Sequence, residues 1–202
     1  LRGESHPDLV QFFIEQASIL RLSSRFDQAR PLFERSLNIL EKAYGPDSPE
    51  ITDILSRLAG WYFIQGDYSR ARESYERSLR IRELSFGPVH PLVAYALNEV
   101  GTIYQEVGDF ILADGSYRRA LGIMERHFGN DHLALAFMLN NTGEILSMQG
   151  EFAKAEPYYE RLIAIWERSY GADDYRVGVA VENLARVNLD QGNYEKAELM
   201  LL

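Results

Sequence analysis

The chain has 202 residues, 46% of them hydrophobic and 25% charged, with no cysteine and a formal net charge of −9. Such values fit a folded, water-soluble chain, exclude disulfide frameworks and thiolate chemistry, and disfavour nucleic acid, whose binding rests on clustered Lys and Arg. No apolar run approaches the roughly 18 residues of a membrane span, so neither membrane nor nucleic acid is an expected partner, and a reducing, cytoplasmic location is the default.

From the N-terminus, Leu1 to Asp8 lack the basic start and apolar stretch of a signal peptide, and with no initiator Met the chain is expected to be cut from a longer one. One pattern then recurs every 42 residues without slipping. Alanine returns at Ala29, Ala71, Ala113, Ala155 and Ala197, an aromatic at Phe26, Tyr68, Phe110, Phe152 and Tyr194, and glycine at Gly3, Gly45, Gly87, Gly129 and Gly171. A fixed period of this size marks units that cannot bury their apolar faces alone and must stack. The expected organisation is a single solenoid over 1–202, with repeats 3–44, 45–86, 87–128, 129–170 and a shortened 171–202.

The first copy starts its leading helix at His6-Pro7, and Ser24 stands where later copies have a turn glycine. In the second, Ser48-Pro49 combines an N-cap with proline at the first helical position, and Gly66-Asp67 makes a tight turn whose aspartate caps the second helix. The third copy shows the periodicity most plainly. Val93, Leu97, Val100, Tyr104 and Val107 fall on one helical face, and after Gly108-Asp109 the rhythm resumes as Phe110, Ala113, Tyr117, Ala120, Leu121 and Met124. So short a connection forces antiparallel packing. In the fourth and fifth copies Leu133 and Tyr175 replace the starting proline, so those helix starts are expected to fray or shift; Gly150, Gly192 and the cap Asn193 keep the turn. Between copies the aromatic-glycine pairs at Tyr44, Phe86, Phe128 and Tyr170 are expected to end helices in a left-handed residue. Each helix should run about 16 to 18 residues, roughly 25 Å.

The columns Ala59, Gly101 and Gly143, then Tyr62, Tyr104 and Leu146, then Gly-Asp-Tyr, then the recurring Ala and Tyr75, Tyr117 and Tyr159 resemble the tetratricopeptide repeat. The resemblance covers the whole chain, and its period is that of the long variety found in kinesin light chain; FGPVHPLVAYALNEVGTIYQEVGDF, RSLRIRELSFG and the LNN at Leu139 to Asn141 are similar to those repeats. It implies an all-α, right-handed superhelical solenoid whose first helices line a concave groove. By that resemblance the groove positions are Gln11, Ile14, Ser18, Arg21 and Leu22; Asp53, Ser56, Gly60, Phe63 and Ile64; Tyr95, Asn98, Thr102, Gln105 and Glu106; Phe137, Asn140, Glu144, Ser147 and Met148; and Val179, Glu182, Arg186, Leu189 and Asp190. The middle of this groove, Phe63, Tyr95, Asn98, Thr102, Gln105, Phe137, Asn140 and Glu144, combines apolar rings with amides able to donate to and accept from an extended backbone.

The expected function is therefore binding of a peptide or segment of a partner protein, without catalysis or cofactor. The alternative is the regulatory arm of a larger effector, a protease or ATPase, contacting its own chain or an activator; self-association through the shortened last helix at Ala197 and Leu201 is a third expectation. The groove is mildly acidic, with Arg21 and Arg186 at opposite ends, so it lacks a basic clamp for acidic C-terminal peptides. Phe63 and Ile64 have packing between helices as their competing role, and Asn141 and Asn183 the bracing of neighbouring repeats. His6, His90 and His132 recur one repeat apart, too far to share an ion, and are expected to cap helices. Glu41, Glu83, Glu125 and Glu167 are expected to be solvated. Trp166 stands where other copies have Leu40, Arg82 and Met124, so the shared core is not expected to demand this position; packing at the end of a long helix is the expected role of Trp166, and an exposed anchor on the second-helix side the alternative. Gly115 and Gly122, inside a helix, are explained by close approach of another chain or by tolerated weakness.

Overall fold

The computed structural model describes residues 6–22 and 25–201; the expectations on Gly3, Ser24 and the side chains of Arg21, Leu22 and Phe26 lie outside the described residues. Among them are ten α-helices: α1 Asp8–Leu22, α2 Phe26–Tyr44, α3 Thr52–Ile64, α4 Tyr68–Phe86, α5 Pro91–Glu106, α6 Phe110–Phe128, α7 Ala136–Met148, α8 Phe152–Tyr170, α9 Tyr175–Asp190 and α10 Tyr194–Leu201. The fold is all-α, built of helices packed in sequential pairs. By contact it falls into two compact units, unit 1 over Leu1–Ile103 and unit 2 over Tyr104–Leu202.

Within a pair, one backbone device recurs. The amides of Asp67, Asp109, Glu151 and Asn193 each donate back five residues to the Tyr62, Tyr104, Leu146 and Asn188 carbonyls at 2.8 to 2.9 Å, closing a Schellman turn around Gly66, Gly108, Gly150 and Gly192. Those glycines have φ of 75 to 83°, a region that a side chain disfavours. Asp67 and Asp109 then cap the second helices by accepting from the Arg70 and Leu112 amides at 3.2 and 3.3 Å. Asn193 instead donates its amide to Gln191 and Asn188.

Between pairs, Gly45, Gly87, Gly129 and Gly171 also have positive φ, but their ψ of 155 to 175° places them in the extended mirror region rather than in the expected left-handed helical one. That region is open essentially to glycine alone. It turns the chain sharply enough for the preceding ring to fold onto the next cap: Phe86 stacks on His90 at 5.0 Å and Phe128 on His132 at 4.6 Å. His90 and His132 do cap, accepting at Nδ1 from the Leu92 and Ala134 amides at 3.2 and 3.1 Å.

Loss of the starting proline does not fray these helices. Asp174 caps α9 directly, with Arg176 laid over the Tyr170 ring, and a 3-10 turn precedes α7 at Leu133–Leu135 just as one precedes α3 at Pro49–Ile51, where proline is present. Second helices are longer than expected, 19 residues each in α2, α4, α6 and α8, while first helices span 13 to 16.

The recurring alanines Ala29, Ala71, Ala113, Ala155 and Ala197 are completely buried, as helix crossings need. In unit 1 a core runs from Val10 and Phe13 through Phe33, Ile54 and Leu58 to Ile81 and Ile103. Unit 2 has Tyr117 and Ile145 packed with Ala113, backed by Tyr104 and Phe110. The shared core does use the column of Trp166, since Leu40, Arg82 and Met124 are all buried; Trp166 itself is half-buried, as packing at the end of a long helix requires. It serves the core because a second helix of 19 residues keeps this face packed through its last full turn.

Candidate peptide-binding surface

First helices bury one face and leave a second face outward. On α5, Val93, Ala94, Ala96 and Leu97 are buried while Tyr95 is 43% exposed; on α7, Met138 and Leu139 are buried while Phe137 is 71% exposed; on α9, Val177 and Ala180 are buried while Val179 is 48% exposed. Helical spacing puts Asn98 and Thr102 beside Tyr95, and Asn140, Glu144 and Met148 beside Phe137. All of these are half-exposed or exposed.

In unit 1, Phe63 turns half of its ring into the core and meets Tyr68 edge-on at 5.7 Å, so packing takes part of it. Ile64 remains exposed. Thr102 hydroxyl donates to the Asn98 carbonyl at 3.1 Å. Ile14 is a correction: it is 8% exposed and belongs to the core. Other copies carry Ser, Asn, Asn and Glu at that position, and an aliphatic group there is gathered out of water.

In unit 2, Gln105 accepts from the Tyr117 hydroxyl at 2.9 Å, which fixes the amide. Asn183 donates to Asn140 Oδ1 at 3.4 Å, and Asn140 donates to Asn141 Oδ1 at 3.4 Å, so these amides tie α9 to α7. Arg186 donates to Asn183 at 3.0 Å. Beneath them Tyr159 is fully buried, and burial pushes its hydroxyl up to about 12, with Glu144 adding to the shift against Ser147 and Arg186. The phenol therefore stays neutral at physiological pH.

Two groups of residues escaped sequence reasoning. Under the unit 1 face, Arg82 enters the layer where other copies have apolar side chains. Its guanidinium lies 3.8 Å from Glu99 and 3.5 Å from Ser56, while Ser56 donates to Glu99 at 2.8 Å. Burial raises the Glu99 carboxyl, the Ser56 hydrogen bond and Arg82 working against it; burial and Glu99 likewise raise the Tyr75 hydroxyl. The signal was a single charged residue in an otherwise apolar column. The second group is a clamp between successive second helices. Arg77 pairs with Glu41 at 2.8 Å and donates to the Pro46 carbonyl; Arg161 pairs with Glu125 at 2.6 Å and donates to the Asn130 carbonyl. Glu41 and Glu125 are thus partnered rather than merely solvated. Arg35, Arg77, Arg119 and Arg161 share the 42-residue period, which is the signal that could have found them.

On the outer side of unit 2, a cleft of about 670 Å³ lies between α6 and α8 beside Pro157 and Tyr158. Its cations are already neutralised, Arg118 by Asp114, Lys154 by Glu151 and Arg161 by Glu125. That leaves it little charge to offer a ligand. A Cβ at Gly115 would meet nothing within 4 Å, and one at Gly122 only the tip of Arg126 at 3.9 Å, so among the described residues no close approach explains either. Among the described residues no helix is long and apolar enough to cross a membrane.

A profile of the tetratricopeptide repeat matches residues 11–84, 50–126, 92–165 and 135–202. Comparison with curated protein sequences gave no match. Among solved structures, BtubC (BKLC) from P. vanneervenii is 25% identical with a TM-score of 0.86, covering 96% of this chain and 78% of that one. A putative kinesin light chain from Podosopora anserina, with nearly identical TPR-like repeats, is 19% identical with a TM-score of 0.84, covering 97% and 93%. A Rap protein complexed with Competence and Sporulation Factor is 17% identical with a TM-score of 0.73, covering 95% of this chain and 51% of that one.

Proposed function

Because the chain belongs to the tetratricopeptide repeat family, we propose that it is a protein-interaction module whose first-helix faces hold a peptide or segment of a partner. The observation that carries this reading is the exposure of Tyr95, Phe137 and Val179 on helices whose other faces are fully packed. Large apolar groups left in water next to amides offer burial to a ligand's side chains and hydrogen bonds to its backbone. A Rap protein of like fold is complexed with a factor, which supports the use of such a framework for binding. Each unit carries its own candidate face: Phe63, Tyr95, Asn98 and Thr102 in unit 1, and Gln105, Phe137, Asn140 and Glu144 in unit 2. In unit 1 Tyr95 and Asn98, and in unit 2 Phe137 and Glu144, are offered to ligand, while Phe63 and Gln105, held by their own neighbours, shape the surface. The test is the Tyr95→Ala/Asn98→Ala double variant: it should keep its helicity and melting temperature and lose partner capture. Undiminished capture by a folded double variant would remove this reading.

A further inference from the structure

Carboxylates in unit 2 fall into two sets. On the outer helices and loops many are neutralised, Asp114 by Arg118, Glu125 by Arg161, Glu156 by Lys196 and Asp174 by Arg176. On the α7/α9 face, Glu144, Glu182 and Asp190 form no ion pair within the described residues. Arg186 shares that face and donates to the neutral Asn183 amide, which leaves its charge in place, so the face carries one cation against three carboxylates and stays net acidic. Glu144 is also half-buried, next to the exposed Phe137 two turns away and the Asn140–Asn183 bond one turn away. At a half-buried position, attraction between a carboxylate and an incoming cation is stronger than in open water.

We propose that the α7/α9 face takes a segment of a partner protein that sets an Arg or Lys against Glu144 and Glu182 and an apolar side chain against Phe137 and Val179. This rests on the peptide-binding reading above and gives the partner its chemistry. Seven residues separate Phe137 from Glu144, about 10 Å along the helix axis at 1.5 Å per residue. In a polyproline-II-like backbone, residues three apart share a side at about 9 Å. The matching pattern is therefore an apolar residue, two others, then a basic one. An acidic segment would meet like charges, which cost affinity without compensation.

Panning a library of random 12-residue peptides against the full chain tests this. The recovered sequences should be enriched in the apolar and basic pair, lose affinity with added salt, and bind the Glu144→Gln/Glu182→Gln variant roughly tenfold more weakly, as expected for losing charge-assisted hydrogen bonds. Phe137→Ala should weaken them as well, with an unchanged melt for both variants. Recovered peptides that need Phe137 but bind the double glutamine variant undiminished, or that are enriched in Asp and Glu, would overturn the basic-segment proposal and leave the peptide-binding role standing. Recovery of no peptide, or of peptides indifferent to Phe137 and to Tyr95 and Asn98, would overturn both.

Discussion

A Cβ added at Gly143 would stand 2.9 Å from the Tyr159 ring, whereas one added at Gly115 would meet nothing within 4 Å. Both glycines are helical, so the contrast isolates packing from backbone freedom. Gly143→Ala should lower stability by about 1–3 kcal/mol, because a fully buried ring has nowhere to move, and Gly115→Ala should raise it by roughly 0.5–1 kcal/mol through helix propensity alone. Thermal melts of the two variants check both signs. Arg82 supplies a second residue-scale test. Burial already raises the Glu99 carboxyl, so the folded chain holds that proton to higher pH than the unfolded chain and loses stability as pH rises through this interval. Arg82→Met removes the cation beside it and widens the interval. The variant should be less stable by roughly 1–3 kcal/mol at pH 7 and should approach the parent near pH 4, where Glu99 is protonated. A deficit independent of pH would show that Arg82 matters only as packing.

At the scale of elements, the recurring alanines, turn glycines and tight helix-helix connections were legible in the sequence because each answers to local geometry that every copy repeats. Ala71→Leu or Ala113→Leu should cost on the order of 1–3 kcal/mol by overpacking a crossing; an unchanged melting temperature would contradict the packing role. The clamp of Arg161 on Glu125 and the Asn130 carbonyl was not legible. Its partners lie 36 residues apart, and a glutamate on a helix surface looks solvated until the neighbouring helix is in place. A double-mutant cycle on Arg161→Ala and Glu125→Ala should give a coupling of about 0.5–1 kcal/mol. Arg82 and Ile14 were misread for a related reason. The column rule assigns a position one environment in all copies, but a long guanidinium can reach a buried carboxylate, and an aliphatic can fold under where a polar residue would stay out. Phe63 illustrates the limit of a resemblance for a site: the resemblance assigned it to the groove, and only the neighbouring Tyr68 and the core beneath show that part of the ring is taken up by packing.

For the molecule, each unit separates structural from binding residues in the same manner. Residues shared by the copies make the stack, and residues that differ between copies, such as Tyr95, Phe137, Val179 and Glu144, stand on the outward faces of first helices. Second helices carry paired charges across their outer side, as Arg77 with Glu41 and Arg161 with Glu125 show. The central claim is that ligand is held by first helices. Hydrogen–deuterium exchange of the chain with and without a peptide recovered by panning tests it most directly. Binding should slow exchange in α5, α7 and α9, over 91–106, 136–148 and 175–190, and leave α4, α6 and α8 largely unchanged. Protection confined to the second helices, with the first helices unaffected, would contradict the account.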